Sequence, residues 1–252
     1  MLTVVAGSLG AGKTRWIRDQ LTAPDSPNSP LYISPVTVGV DACRLRLDVP
    51  HLQVEANLAR SMLASGNQAI YLELGYPLSL DIPMLAEVPH HRVAVISAHC
   101  PTRSHWEKWA DEVIINTFPS VDADSNIATD VWQAGLQGQV FDPASLQTFW
   151  QELVQGAYGK MMRTKAVLEL ADGQSIYIDH LPQQETTYQD LPLPKWLDGR
   201  PQRFSGIEMI GVGLNKSAIA ATLQDCCLTD ATLKAHQAAL KQSQNYLSQE
   251  AA

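Results

Sequence analysis

Short apolar runs alternate with stretches of helical period through the first 155 residues. The runs predict strands over Thr3–Ala6, Leu31–Ser34, Ala69–Leu74, Arg92–Ser97, Glu112–Asn116 and Gln139–Phe141. They are rich in Val, Ile and Leu without strict alternation, as strands buried on both faces of a parallel sheet require. Between them the pattern predicts helices over Lys13–Leu21, Val54–Ala64, Ser104–Ala110, Ser125–Leu136 and Ala144–Gln155. Ser125 and Asp142 stand where N-caps belong. Strand–helix alternation of this kind predicts a doubly wound, mainly parallel α/β domain.

Past Gly156 the pattern changes. Arg163–Leu170 and Gln174–Ile178 are β-type runs joined by Ala171-Asp172-Gly173, a hairpin turn. A polar, proline-bearing loop from Leu181 to Pro201 follows, then a strand over Phe204–Gly211 and a helix over Ser217–Cys226. The tail, Asp230 to Gln249, is a polar helix. The expected division is therefore a domain over 1–156 and a smaller α+β domain over 157–252.

Composition narrows the function classes. At about 150 residues per domain, 252 residues make one large or two unequal domains. With 18 basic and 26 acidic side chains the net charge is −8, and no Lys/Arg run is present. That balance argues against nucleic acid and against a polybasic membrane site. No apolar stretch approaches the roughly 20 residues of a membrane span. The opening Met1-Leu2-Thr3-Val4-Val5-Ala6 reads as a strand rather than a signal peptide. Four cysteines do not make a disulfide framework. A cytoplasmic protein is expected.

The chemistry lies first in Gly7-Ser8-Leu9-Gly10-Ala11-Gly12-Lys13-Thr14, a full match to G-x-x-x-x-G-K-[ST] set between a strand and a helix. Gly7, Gly10 and Gly12 let the backbone fold back and aim N–H groups, with Ser8 and Ala11, at phosphate oxygens. The helix N-terminus adds its dipole. In that reading Lys13 reaches the β- and γ-phosphates and the Thr14 hydroxyl ligates Mg²⁺. A purine nucleotide, GTP or ATP with Mg²⁺, is the implied ligand.

The same residues resemble the phosphate loop of CobW-type GTPases, usually T-G-F-L-G-A-G-K-T-T, relatives of the nickel-insertion GTPases for urease and hydrogenase. Tyr158-Gly159-Lys160-Met161-Met162-Arg163-Thr164-Lys165-Ala166 is similar to that family's R-x-K-G segment, with Ala166 in place of Gly. Arg203–Gly211 resembles the strand closing the CobW C-terminal domain, before a helix ending in Cys. The resemblance implies a P-loop domain followed by a CobW C-terminal-like α+β domain, acting as a nucleotide-gated metal chaperone or assembly factor with a protein partner.

The middle of the chain departs from that pattern. The family's G-C-x-C-C metal motif is missing. Ser34 and Pro35 replace the Asn-Glu of its N-E-F-G-x-x-x-x-D segment, leaving Asp41, followed by Cys43. Asp41 reads as a Mg²⁺ or water-positioning residue, or as a solvated loop acid. In Leu72-Glu73-Leu74-Gly75-Tyr76-Pro77 the acid is displaced by one position from the family's E-[ST]-[ST]-G, which can turn Glu73 away from the phosphates. The guanine-reading N-K-x-D becomes Asn116-Thr117-Phe118-Pro119, leaving only Asn116 to contact a base. A weak or slow nucleoside-triphosphate hydrolase follows, with Lys13 and Asp41 as its catalytic pair.

Two competing classes stay open. An active metal-delivering GTPase would hold Zn²⁺ through Cys43, His99 and Cys100, the last two at the C-terminal end of a strand where ligands bind. His90 and His91 lie at the other end of that strand, roughly 20 Å away, and cannot share the ion. A small-molecule kinase would need a lid with several arginines, and none is evident. Cys226 and Cys227, neighbours at a helix end, favour burial of at least one as a small hydrophobe.

Overall fold

Apolar runs flanked by helices on both sides satisfy their backbone groups by pairing with one another, and those of the N-terminal half do so in parallel. In the computed structural model the described residues are 1–24, 29–35, 39–56, 68–75, 80–117 and 129–250, the side chains of 244–250 excepted. They fall into two compact units, Met1–Asn126 and Ile127–Ala252.

The first unit runs β1 (Leu2–Gly7), α1 (Lys13–Leu21), β2 (Leu31–Ile33), α2 (Val40–Asp48), β3 (Gln53–Glu55), β4 (Ile70–Glu73), β5 (His90–Ser97), α3 (Arg103–Trp109) and β6 (Glu112–Asn116). Among the described residues its sheet has six strands in the order β3-β2-β4-β1-β5-β6, every pair parallel. Alternation sorts the side chains onto two faces. Val5, Tyr32, Val93 and Val95 meet Ile17 and Leu21 of α1 and Ala42 and Leu45 of α2. Leu2, Val4, Ala6, Ile33, Ile70 and Leu72 form the opposite face, covered in part by Leu85, Trp106 and Trp109. This is the doubly wound layer that the sequence predicts.

The second unit runs β7 (Asp130–Gly135), α4 (Pro143–Val154), β8 (Lys160–Glu169), β9 (Ser175–His180), β10 (Thr187–Asp190), β11 (Gly206–Val212), α5 (Lys216–Asp225) and α6 (Asp230–Glu250). Its sheet is antiparallel, in the order β10-β9-β8-β11-β7. Phe149, Trp150 and Leu153 of α4 and Ile219 and Leu223 of α5 share a core with Ala166, Leu168, Ile207 and Met209 of the sheet. Asp142 caps α4, accepting from the Ser145 backbone N–H at 2.8 Å. An ion pair to the buried Glu169 braces the sheet: the half-buried Arg203 donates to both oxygens of Glu169 at 2.7 Å, and Glu169 also accepts from Ser175 at 2.6 Å.

Several expected elements differ. The Ser125–Leu136 helix is instead the edge strand β7 over its described part, because Asp130–Gly135 pairs with β11. That pairing and the packing of α4 put residues 127–156 with the second unit, so the units divide between Asn126 and Ile127 rather than near Gly156. Of the Val54–Ala64 helix, residues 54–55 belong to β3 and 57–64 lie outside the described residues. Gln139–Phe141 is no full strand; Phe141 makes isolated bridges to Leu170 and Cys227. The 181–201 loop contains β10, whose four residues are all exposed and so carry no alternation to read. Among the described residues no helix is long and apolar enough to cross a membrane.

Candidate functional site

The loop between β1 and α1 is built by its glycines. Gly7, Gly10 and Gly12 have φ of 144°, 81° and 94°, and Gly12 is the N-cap of α1. Lys13 is folded back over the loop, its Nζ donating to the carbonyls of Gly7 and Ser8 at 3.1 Å each. The Ala11 N–H bonds the Ser8 carbonyl at 3.3 Å. From β6, Asn116 Nδ2 donates to the Ala11 carbonyl at 2.8 Å, bracing the loop from the far side of β5.

Glu73 faces this loop. β4 lies beside β1 with Glu73 opposite Val5, and alternation puts Glu73 on the same face as Tyr71, whose ring meets Trp16 of α1. The Thr14 hydroxyl lies 3.0 Å from each Glu73 carboxylate oxygen, and the Tyr32 hydroxyl donates to Oε2 at 3.0 Å. The expectation that displacement turns Glu73 away from the phosphate loop is thereby corrected: the strand ends where the acid falls on the helix-bearing face. Sequence reasoning also missed Tyr32, which reads there as one more apolar strand position.

Asp41 stands in the first turn of α2 and is buried, as are Glu73, Lys13, Ser34 and Ser8. It is not a solvated loop acid. Burial raises the Tyr32 phenol well above its ordinary pKa, and the nearby charges of Glu73 and Asp41 raise it further. Two carboxylates, a threonine hydroxyl and a lysine thus gather where β1, β2 and β4 end, the edge where ligands bind in open parallel sheets.

The expected transition-metal set does not assemble. Among the described residues no group of three or more His, Cys, Asp or Glu side chains is placed to hold a metal ion, so Cys43, His99 and Cys100 do not form one. Consecutive residues leaving β5 turn apart: His99 is exposed, whereas Cys100 is buried, 3.7 Å from the Ser8 hydroxyl and 3.4 Å from that of Thr102. Cys43 is half-buried on α2. In the second unit Cys226 is buried in the core. Cys227 donates to Gln139 Oε1 at 3.3 Å, and burial pushes its thiol up to about 11.

A parallel α/β unit carrying a glycine loop of the G-x-x-x-x-G-K-[ST] type, followed by an antiparallel α+β unit, defines the class. Residues 136–227 match the family described as "Cobalamin synthesis protein cobW C-terminal domain". That match lies wholly within the second unit. Two solved structures are similar over 89% of this chain and 98% of theirs. One is a Zn(II)-bound triple mutant of the YjiA GTPase, 13% identical with a TM-score of 0.35. The other is Zn(II)-bound YjiA GTPase from E. coli, 12% identical with a TM-score of 0.31. No curated protein matches the chain.

Proposed function

We propose that the first unit binds a purine nucleoside triphosphate with Mg²⁺ through Gly7–Thr14, and that its nucleotide state governs contacts with a protein partner in metal or cofactor assembly. The observation that carries the reading is the juxtaposition of Lys13, Thr14 and buried Glu73 at the end of the parallel sheet. The match to the CobW C-terminal domain family supports the assembly role.

The residues fit the cation. Mg²⁺ takes oxygen donors, and the Thr14 hydroxyl with the Glu73 and Asp41 carboxylates supplies them. Bound there, the ion neutralises charge on the β- and γ-phosphates. Lys13, held by two loop carbonyls, supplies the cation for the same oxygens, and the loop N–H groups with the α1 dipole bind the rest of the polyphosphate. Hydrolysis is slow without the partner, because Asp41, the acid that would orient water, is buried near Tyr32. Base selectivity is weak. Asn116 is engaged with the Ala11 carbonyl, and Pro119 holds the sequence position of the carboxylate that would read guanine.

Calorimetric titration with ATP and GTP, with and without Mg²⁺, tests this. The expected result is Mg²⁺-dependent binding of both nucleotides, with affinities within about tenfold of each other and a loss of more than about tenfold in Lys13→Ala. Trp16 fluorescence provides a second readout. Failure of the wild-type protein to bind either nucleotide at millimolar concentration overturns the proposal.

A further inference from the structure

Tyr32 lies in the interior of the first unit, fully buried among Val5, Ala42 and Leu45 on the face that carries α1 and α2. A phenol in that position needs a polar partner. The partner is Glu73: the Tyr32 hydroxyl donates to Oε2 at 3.0 Å, while Thr14 Oγ1 lies 3.0 Å from both carboxylate oxygens. Ser34 hydrogen-bonds the same phenol. The phenolic proton is directed at Glu73. The result is a chain, Ser34 to Tyr32 to Glu73, that closes on the loop threonine.

A glutamate has three side-chain torsions and swings easily, whereas a tyrosine packed on all sides does not. Removing the phenol takes away the donor anchored in the rigid core. More of the task of orienting Glu73 then falls to Thr14, the residue that must also serve the cation. An ionised carboxylate has about four acceptor sites. The two hydroxyls hold Glu73 in one orientation and leave acceptor capacity for the cation or its water.

We infer that Tyr32 is a positioning residue for the Mg²⁺ site, fixing the Glu73 carboxylate against Thr14 from within the core. The inference rests on the proposed nucleotide function and adds to it a residue that touches neither nucleotide nor metal. Its effect belongs to the cation and not to the phosphates, which separates it from a general structural role.

The test compares wild type, Tyr32→Phe, Glu73→Gln and the double variant. Nucleotide affinity is measured in EDTA, and Mg²⁺ affinity by titrating the cation into the nucleotide-bound protein. Tyr32→Phe is expected to weaken Mg²⁺ binding by roughly five- to tenfold, the net effect of one ordinary intramolecular hydrogen bond. Nucleotide affinity in EDTA is expected to stay within about twofold, and in the Glu73→Gln background the tyrosine substitution to change Mg²⁺ affinity less than about twofold. Should Tyr32→Phe fail to fold, Ser34→Ala carries the same test, with an expected loss of about two- to threefold in Mg²⁺ affinity alone. Unaltered Mg²⁺ affinity in the folded variant, or equal weakening with and without Mg²⁺, overturns the inference and leaves the proposed function standing. A wild-type protein that binds no nucleotide overturns both.

Discussion

At Gly7 the chain leaves the sheet while still lying against β5. Its φ is +144°, and a Cβ there would stand 1.8 Å from the Val95 carbonyl oxygen and 2.7 Å from its carbon. The left-handed backbone alone strains an alanine by about 1–3 kcal/mol, and the overlap is with backbone that cannot rotate away. Gly7→Ala is therefore expected to destabilise the protein by about 3 kcal/mol or more. In thermal unfolding followed by circular dichroism, the expected fall in the first transition is about 10 °C or more. An unchanged midpoint would mean that β1 and β5 part at this point. This glycine was legible in the sequence, because the loop motif fixes spacing and residue type together. Glu73 was not. Whether a strand residue faces the loop depends on where the strand ends and how it registers with β1, and Leu72-Glu73-Leu74 contains neither fact. Asn116 was legible as a residue of the site, but its bond to Ala11 is a tertiary contact that spacing does not encode.

At the scale of elements, the edge of the parallel sheet is held by an interstrand clamp. The Arg92 guanidinium of β5 donates to Asp111 Oδ1 at 2.8 Å, and its backbone N–H to Oδ2 at 2.9 Å. The guanidinium first, and that N–H next, hold the Asp111 carboxyl at about 2 against an ordinary 3.8. A depressed folded-state value means that the stabilisation is fully present above about pH 4. It is lost as pH falls through the folded value of about 2. Both side chains are more than a third exposed, so the contribution is under about 1 kcal/mol. Urea unfolding from pH 7 to 2 is expected to show Asp111→Asn slightly less stable at neutral pH, with the two curves converging as the acid limb is reached. Parallel curves would place the acid sensitivity elsewhere. The strands joined by this clamp, β5 and β6, were readable as apolar runs, whereas β7 was not. Val131 and Trp132 suit a strand, but every position from Asp130 to Ala134 is half-buried, so no period-two signal marks the edge. Only pairing with β11, some seventy residues later, decides between strand and helix.

For the whole molecule, the change of pattern at Gly156 is real in sequence but does not mark where one core ends. Residues 129–155 continue the alternating pattern of the first unit in sequence, yet β7 and α4 complete the second. The CobW family match already begins at residue 136, and the compact unit begins at Ile127. A fragment starting at residue 157 would lack Leu136, Phe141, Leu146, Phe149, Trp150 and Leu153, all buried in the second core. It would also expose the β11 edge that β7 covers. Each such side chain is worth about 2–5 kcal/mol when truncated, so together they exceed the roughly 5–15 kcal/mol by which a domain is stable. Residues 127–252 expressed alone are expected to unfold in one cooperative transition and to show protected amides in β8 and β11, whereas residues 157–252 are expected to show neither. Cooperative folding of the shorter fragment would return the boundary to Gly156 and make α4 an accessory. Folding of the longer fragment alone would establish that the second core needs β7 and α4, and that a strand and helix lying ahead of the sequence break belong to the second unit.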